Sequence, residues 1–139
     1  MNSTCPSQRW LARLTGGTLL VSLFFSVAGC STTPDGTPPA ALGYTESGLA
    51  SFYAAKYQFR KTASGERFNQ LAKTAAHRKL PFGTRLRVTN TDSGESVVVR
   101  VNDRGPFIDG RIIDLSRSAF AAIADTDLGV IHVTIEAVP

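Results

Sequence analysis

The stretch "VNDRGPFIDGRIIDLS", residues 101–116, decides the fold. Two apolar patches, residues 97–101 and 112–115, flank a polar knot of Asp103, Arg104, Gly105, Pro106 and Phe107. Gly and Pro punctuate turns, and short apolar patches bounded by them read as buried strands. The knot is therefore a tight turn that carries a carboxyl and a guanidinium between two strands. The flanks extend the pattern. "RLRVTN" (residues 85–90) alternates, with Leu86 and Val88 on one face and Arg85, Arg87 and Thr89 on the other. "TDSG" supplies a turn, and "ESVVVRVN" returns with Val97, Val99 and Val101 facing in, which makes a hairpin. After the knot, Ser116 can cap a helix over "RSAFAAIA", with Phe120 and Ile123 on one face. "GVIHVTIEAV" closes the chain as a strand, with Ile131, Val133 and Ile135 in and His132, Thr134 and Glu136 out; "GLASFYA" (residues 48–54) is a further strand. Short strands, many turns and one helix predict a small mainly β barrel rather than a sandwich.

The barrel occupies residues 48–139, roughly 90 residues, enough to fold without staples. Residues 1–29 read as an export signal, with a basic start at Arg9 and Arg13 and an apolar run too short and glycine-rich for a membrane span. It ends in "VAGC", a lipobox that makes Cys30 the lipid anchor. Ser31, where an inner-membrane retention signal often has Asp, points to the outer membrane, on the periplasmic side of the cell envelope. Residues 30–47 are rich in Thr, Pro, Gly and Ser and read as a flexible tether, about 50 Å if fully extended. Cys5 leaves with the signal, so no intramolecular disulfide is expected. Removing Arg9 and Arg13 leaves 13 basic residues against 11 acidic, a net charge of +2, which is no nucleic-acid footprint. A monomer is expected.

The polar residues that break the alternation gather in "TASGERF" (residues 62–68), "TAAHRKLPFGT" (residues 74–84) and "VNDRGPF". Each contains Gly or Pro and reads as a turn on a barrel rim. Together they offer Glu66, His77 and Asp103, with Asn102 and Arg104 alongside. Taken singly, each has an ordinary role: an exposed acid, a packing histidine, a turn carboxylate with its salt-bridge partner. One His and two acids match no compact metal motif, so no metal or other cofactor is expected, and Ser64 in "ASGE" is not on a nucleophile elbow.

Together, "GLASFY", "TASGERFN", "TAAHRKLPFGTRLRVTN", "VVVRVNDRGPF" and "GRIIDLSRSAF" resemble the rare lipoprotein A (RlpA) family, in order and spacing, behind its lipobox. The resemblance implies a six-stranded double-psi β-barrel like that of expansins and barwin, acting on peptidoglycan. It implies lytic transglycosylase activity on glycan strands poor in stem peptides, with Asp103 catalytic and Glu66 and His77 important. Arg104, Asn102 and Tyr53 are assigned to substrate binding. Where members commonly place Gly after the first Tyr and again before "TASGE", this chain has Ala54 and "YQFRKT".

Cleaving a β-1,4 glycosidic bond needs a proton for the leaving oxygen and support for an oxocarbenium-like transition state. When the 6-hydroxyl of the N-acetylmuramoyl sugar is the internal nucleophile, one carboxyl group suffices as acid and then base. The competing class is a non-catalytic, expansin-like glycan binder, for which Phe52, Tyr53, Tyr57 and Phe59 offer stacking surfaces. A structural envelope lipoprotein is the third.

Overall fold

A computed structural model describes residues 41–139; the expected signal, Cys30 and most of the tether lie outside the described residues. Six strands form a closed barrel: β1 (Thr45–Phe52), β2 (Thr74–His77), β3 (Arg85–Asn90), β4 (Ser96–Asp103), β5 (Arg111–Leu115) and β6 (Val130–Val138). Their order around the barrel is β1-β5-β2-β4-β3-β6. β1 runs parallel to β5 and β2 parallel to β4, while the other pairings are antiparallel. This is the double-psi architecture expected from the resemblance.

The alternation of β3, β4 and β6 holds: Leu86, Val88, Val99, Val101, Ile131, Val133 and Ile135 are buried, whereas His132 and Glu136 are exposed. One helix, α1 (Arg117–Ala121), closes the core with Phe120. Ser116 caps it by accepting the Ala119 N–H at 3.3 Å. The helix is shorter than the "RSAFAAIA" pattern suggests. Asp125 caps a separate 3-10 turn at Thr126–Leu128, and Ile123 reaches the core from the link between the two.

Two boundaries differ from the sequence reading. β1 begins at Thr45, three residues inside the expected tether, because Glu46 and Ser47 already pair with β6. Ala41 is buried and Tyr44 packs on the core, so part of that tether belongs to the barrel. β2 is a strand where a turn was expected. All four of its residues are buried, between β4 and β5. A strand covered on both faces shows no period of two, and two alanines between polar ends give no apolar run.

Each parallel pair carries a register shift. Ala75 pairs with Val101 but Ala76 with Asp103, so Asn102 is an extra residue. Leu49 pairs with Arg111 but Ala50 with Ile113, so Ile112 is another. A bulge re-aims the residues after it. Strict alternation would send Asp103 into the core with Val101; the bulge turns it to the outer face beside Ala76. Gly48 makes room for the second bulge, since a Cβ there would lie 2.6 Å from Ile112 Cγ2.

The loop at residues 54–61 makes a 3-10 turn at Ala55–Tyr57 and then reverses at Phe59, whose φ is +64°. A non-glycine residue in left-handed geometry costs roughly 1–2 kcal/mol. Phe59 is 64% exposed, so little packing offsets that cost. Phe59→Gly is expected to stabilise the domain by about 1 kcal/mol, after the greater freedom of Gly in the unfolded chain is deducted. A urea melt with unchanged or lower midpoint contradicts this.

Candidate active site

The outer-face residues of β1, β5, β2 and β4 line up as Ser51, Asp114, Ala76 and Asp103, each in register with the next. Above the two carboxyls opens a cleft of about 590 Å³. Its walls are both ends of the 54–61 loop, Thr62, Phe68 and the turn after β4. Tyr53, Asp103 and Arg104 all line it.

Asp103 is held by three donors. Tyr53 Oη donates to Oδ2 at 2.6 Å, and the backbone N–H groups of Ala63 and Arg104 donate to Oδ1, each at 2.8 Å. A carboxylate has about four acceptor sites, and three of those of Asp103 are filled. Tyr53 continues the β1 ladder through its N–H to Leu115 O at 3.1 Å, and its ring packs on Phe68 at 4.7 Å. Burial, and then the bond to Asp103, push the Tyr53 phenol far above its ordinary value, so it stays a donor.

Glu66 and Asn102 stand behind this arrangement and do not line the cleft. Arg100 grips Glu66 with two bonds, at 2.7 and 2.9 Å, and Asn102 Nδ2 donates to it at 3.1 Å. The Arg100 bonds hold the Glu66 carboxyl below its usual range, against the opposing effect of burial. Ser64 N–H bonds to Asn102 O at 3.2 Å. The Glu66 contacts thus dock the Thr62–Glu66 turn onto β4, and that turn presents the Ala63 N–H to Asp103. The partner that perturbs Glu66 is Arg100. Asn102, expected at the substrate, is buried by the bulge.

Arg104 turns away from its neighbour Asp103. Its Nη1 donates to Leu80 O at 2.9 Å and to His77 O at 3.4 Å, and its guanidinium sits 3.8 Å above the Phe82 ring. His77 is buried and does not touch Asp103 or Glu66. Its Nδ1 accepts the N–H groups of Lys79 (3.2 Å) and Leu80 (3.1 Å), and its Nε2 faces Glu46 Oε2 at 3.3 Å. The acid it pairs with is Glu46, which had been placed in the tether. Through the Leu80 turn, His77 sets the carbonyls that anchor Arg104. Burial lowers the His77 pKa, with Glu46 pulling the other way. Burial alone would raise Glu46, but hydrogen bonds from Tyr44 and His77 hold it below its ordinary value.

This pairing sets a pH dependence. His77 takes up its proton more readily in the unfolded chain, so acid favours unfolding once the pH drops below the unfolded value of about 6.5. Glu46 adds to the loss at still lower pH, as its folded carboxylate is protonated. The melting temperature is expected to be level above about pH 7 and to fall toward pH 5. His77→Gln should remove the upper part of that decline. A wild-type melting temperature that rises toward pH 5 contradicts the assignment.

Asp114 is the residue sequence reasoning missed. It is mostly buried, and Arg111 holds it at 2.6 and 2.7 Å. Burial raises its carboxyl, Arg111 opposes the rise, and the charge of Asp103 adds to it. Its signal was present: a lone acid on the alternate face of "RIIDL".

Fold and site define a six-stranded double-psi barrel with a carboxyl held in an open cleft. The model of the lytic transglycolase family matches residues 45–135, and the chain belongs to that family. It is 54% identical over 99 residues to a probable endolytic peptidoglycan transglycosylase RlpA of Synechocystis, covering 71% of this chain and 31% of the relative. It is 51% identical over 96 residues to the endolytic peptidoglycan transglycosylase RlpA of Vibrio cholerae, covering 69% of this chain and 36% of that one. The chain thus spans about a third of the length of these relatives. Among solved structures, a Streptomyces papain inhibitor superposes with a TM-score of 0.57 at 26% identity, covering 70% of this chain and 97% of the inhibitor. A Clavibacter michiganensis expansin, solved with cellohexaose, gives 0.56 at 24% identity over 69% of this chain and 51% of the expansin, a likeness of fold alone.

Proposed function

We propose that this chain is an endolytic lytic transglycosylase that cuts the β-1,4 bond between N-acetylmuramoyl and N-acetylglucosaminyl residues of peptide-poor peptidoglycan strands. The observation that carries the reading is Asp103, a carboxyl fixed by three donors in the wall of an open cleft. The Asp103 carboxyl gives its proton to the leaving O4 as the C1–O4 bond breaks. The muramoyl 6-hydroxyl attacks C1, and its proton returns to Asp103. The products are a 1,6-anhydro end and a free 4-hydroxyl; water is not consumed. Tyr53 orients Asp103, while Glu66 and Asn102 hold the turn that supplies the Ala63 N–H. His77 acts at one remove, through the turn that anchors Arg104.

Cys30 carries the lipid in this reading, and the barrel works as a monomer on the periplasmic side of the outer membrane. Digesting purified sacculi and analysing the soluble products by mass spectrometry tests the proposal. Anhydro-ended fragments are expected. Retention of the protein on sacculi with no release of fragments favours the expansin-like binder instead.

A further inference from the structure

The cleft is lined by five cationic side chains and two carboxylates. Both carboxylates are already engaged, Asp103 by its three donors and Asp114 by Arg111. Arg104 is spent on backbone carbonyls and Phe82. That leaves Lys56, Arg60 and Lys61 on one lip. All three are exposed, and none pairs with a carboxylate among the described residues.

The lip is built rather than incidental. The 3-10 turn and the reversal at Phe59 bring Lys56 and Arg60 to the same Tyr57 ring, 5.4 and 5.6 Å from its centroid. The loop is pinned to the following segment by Phe59 N–H to Phe68 O (2.9 Å), Phe68 N–H to Arg60 O (2.8 Å) and a bridge between Lys61 and Arg67. Like charges gathered on a pinned loop repel one another, and an anion between them relieves the repulsion. Lys61 is two residues before Ala63, whose N–H touches Asp103, so its Cα is within about 7 Å of that amide. The lip therefore borders the reacting carboxyl.

We propose that Lys56, Arg60 and Lys61 form a carboxylate-recognition subsite that selects the muramoyl residue beside Asp103. The inference rests on the peptidoglycan reading and adds the residues that set its specificity. Of the two alternating sugars only the muramoyl residue is anionic, through its lactyl carboxylate when no peptide is attached. N-acetylglucosamine offers the lip nothing. A stem peptide consumes the lactyl carboxylate as an amide but brings carboxylates of its own.

The test is equilibrium binding by the full chain carrying Asp103→Asn, which holds strands without cutting them. Three ligands are compared: peptide-free strands, the same strands with their lactyl carboxylates converted to methylamides, and peptide-bearing strands. Methylamide strands are expected to bind about tenfold more weakly than peptide-free ones, since exposed ion pairs contribute modestly. The gap should shrink with added salt. It should vanish when Lys56→Gln, Arg60→Gln and Lys61→Gln are added, with melting temperature unchanged. Peptide-bearing strands that bind more tightly than peptide-free ones, and lose that advantage in the same triple variant, overturn the lactyl assignment in favour of peptide carboxylates. Equal binding of methylamide and peptide-free strands to the unsubstituted lip overturns the inference and leaves the glycan reading standing. Failure of every strand to bind overturns both.

Discussion

Asp103→Asn is expected to lose about 10²–10⁴ of the rate of anhydro-product release, the usual contribution of a general acid–base group. The amide oxygen can still accept the Ala63 and Arg104 N–H groups. The Tyr53 hydroxyl can reverse and accept from the amide N–H₂, so the local fold is kept. What is lost is the acidic proton that can be given to the leaving oxygen and taken back. Affinity for glycan strands should change little, because binding is spread over the length of the cleft. Release assays on peptide-free strands, paired with thermal melts, check this. A folded variant that cleaves at the wild-type rate removes Asp103 from the mechanism.

The second large effect falls on stability. Phe120 is fully buried and packs on Phe52 with ring centroids 4.8 Å apart. Phe52 in turn lines the cleft. Truncating such a side chain loses its transfer free energy and leaves a cavity, so Phe120→Ala should cost about 3–5 kcal/mol. For a domain of this size that is a large share of the total of roughly 5–15 kcal/mol. Urea unfolding should show a lower midpoint at unchanged slope. A loss under about 1 kcal/mol would mean that α1 does not close the core as described.

Much of this was legible because the barrel's antiparallel half alternates cleanly. Leu86, Val88, Val99, Ile131, Val133 and Ile135 declare their faces in the sequence, and Ser116 declares its cap. The parallel half was harder to read. β2 is buried on both sides and short, so neither period nor length exposed it. The extra residue at Asn102 obeys no local pattern; it follows from how β2 meets β4, and it decides that Asp103 faces the cleft while Asn102 is buried. The site's turns were found by composition, but their partners were not. Arg100 reads as one more residue of an alternating strand and is the clamp on Glu66. Glu46 looked like tether and is the acid that faces His77. Asp114 sat in plain view among apolar residues, and only the register across Ala76 places it beside Asp103.

In the proposed reaction the muramoyl 6-hydroxyl, not water, displaces the leaving sugar at the Asp103 cleft. Cleavage of peptide-free strands in heavy-oxygen water, followed by mass analysis of the new ends, tests it most directly. Anhydro ends that carry no heavy oxygen and weigh one water less than reducing ends are expected. New reducing ends formed in place of anhydro ends, in step with cleavage, are the opposite result, since only attack by water makes them.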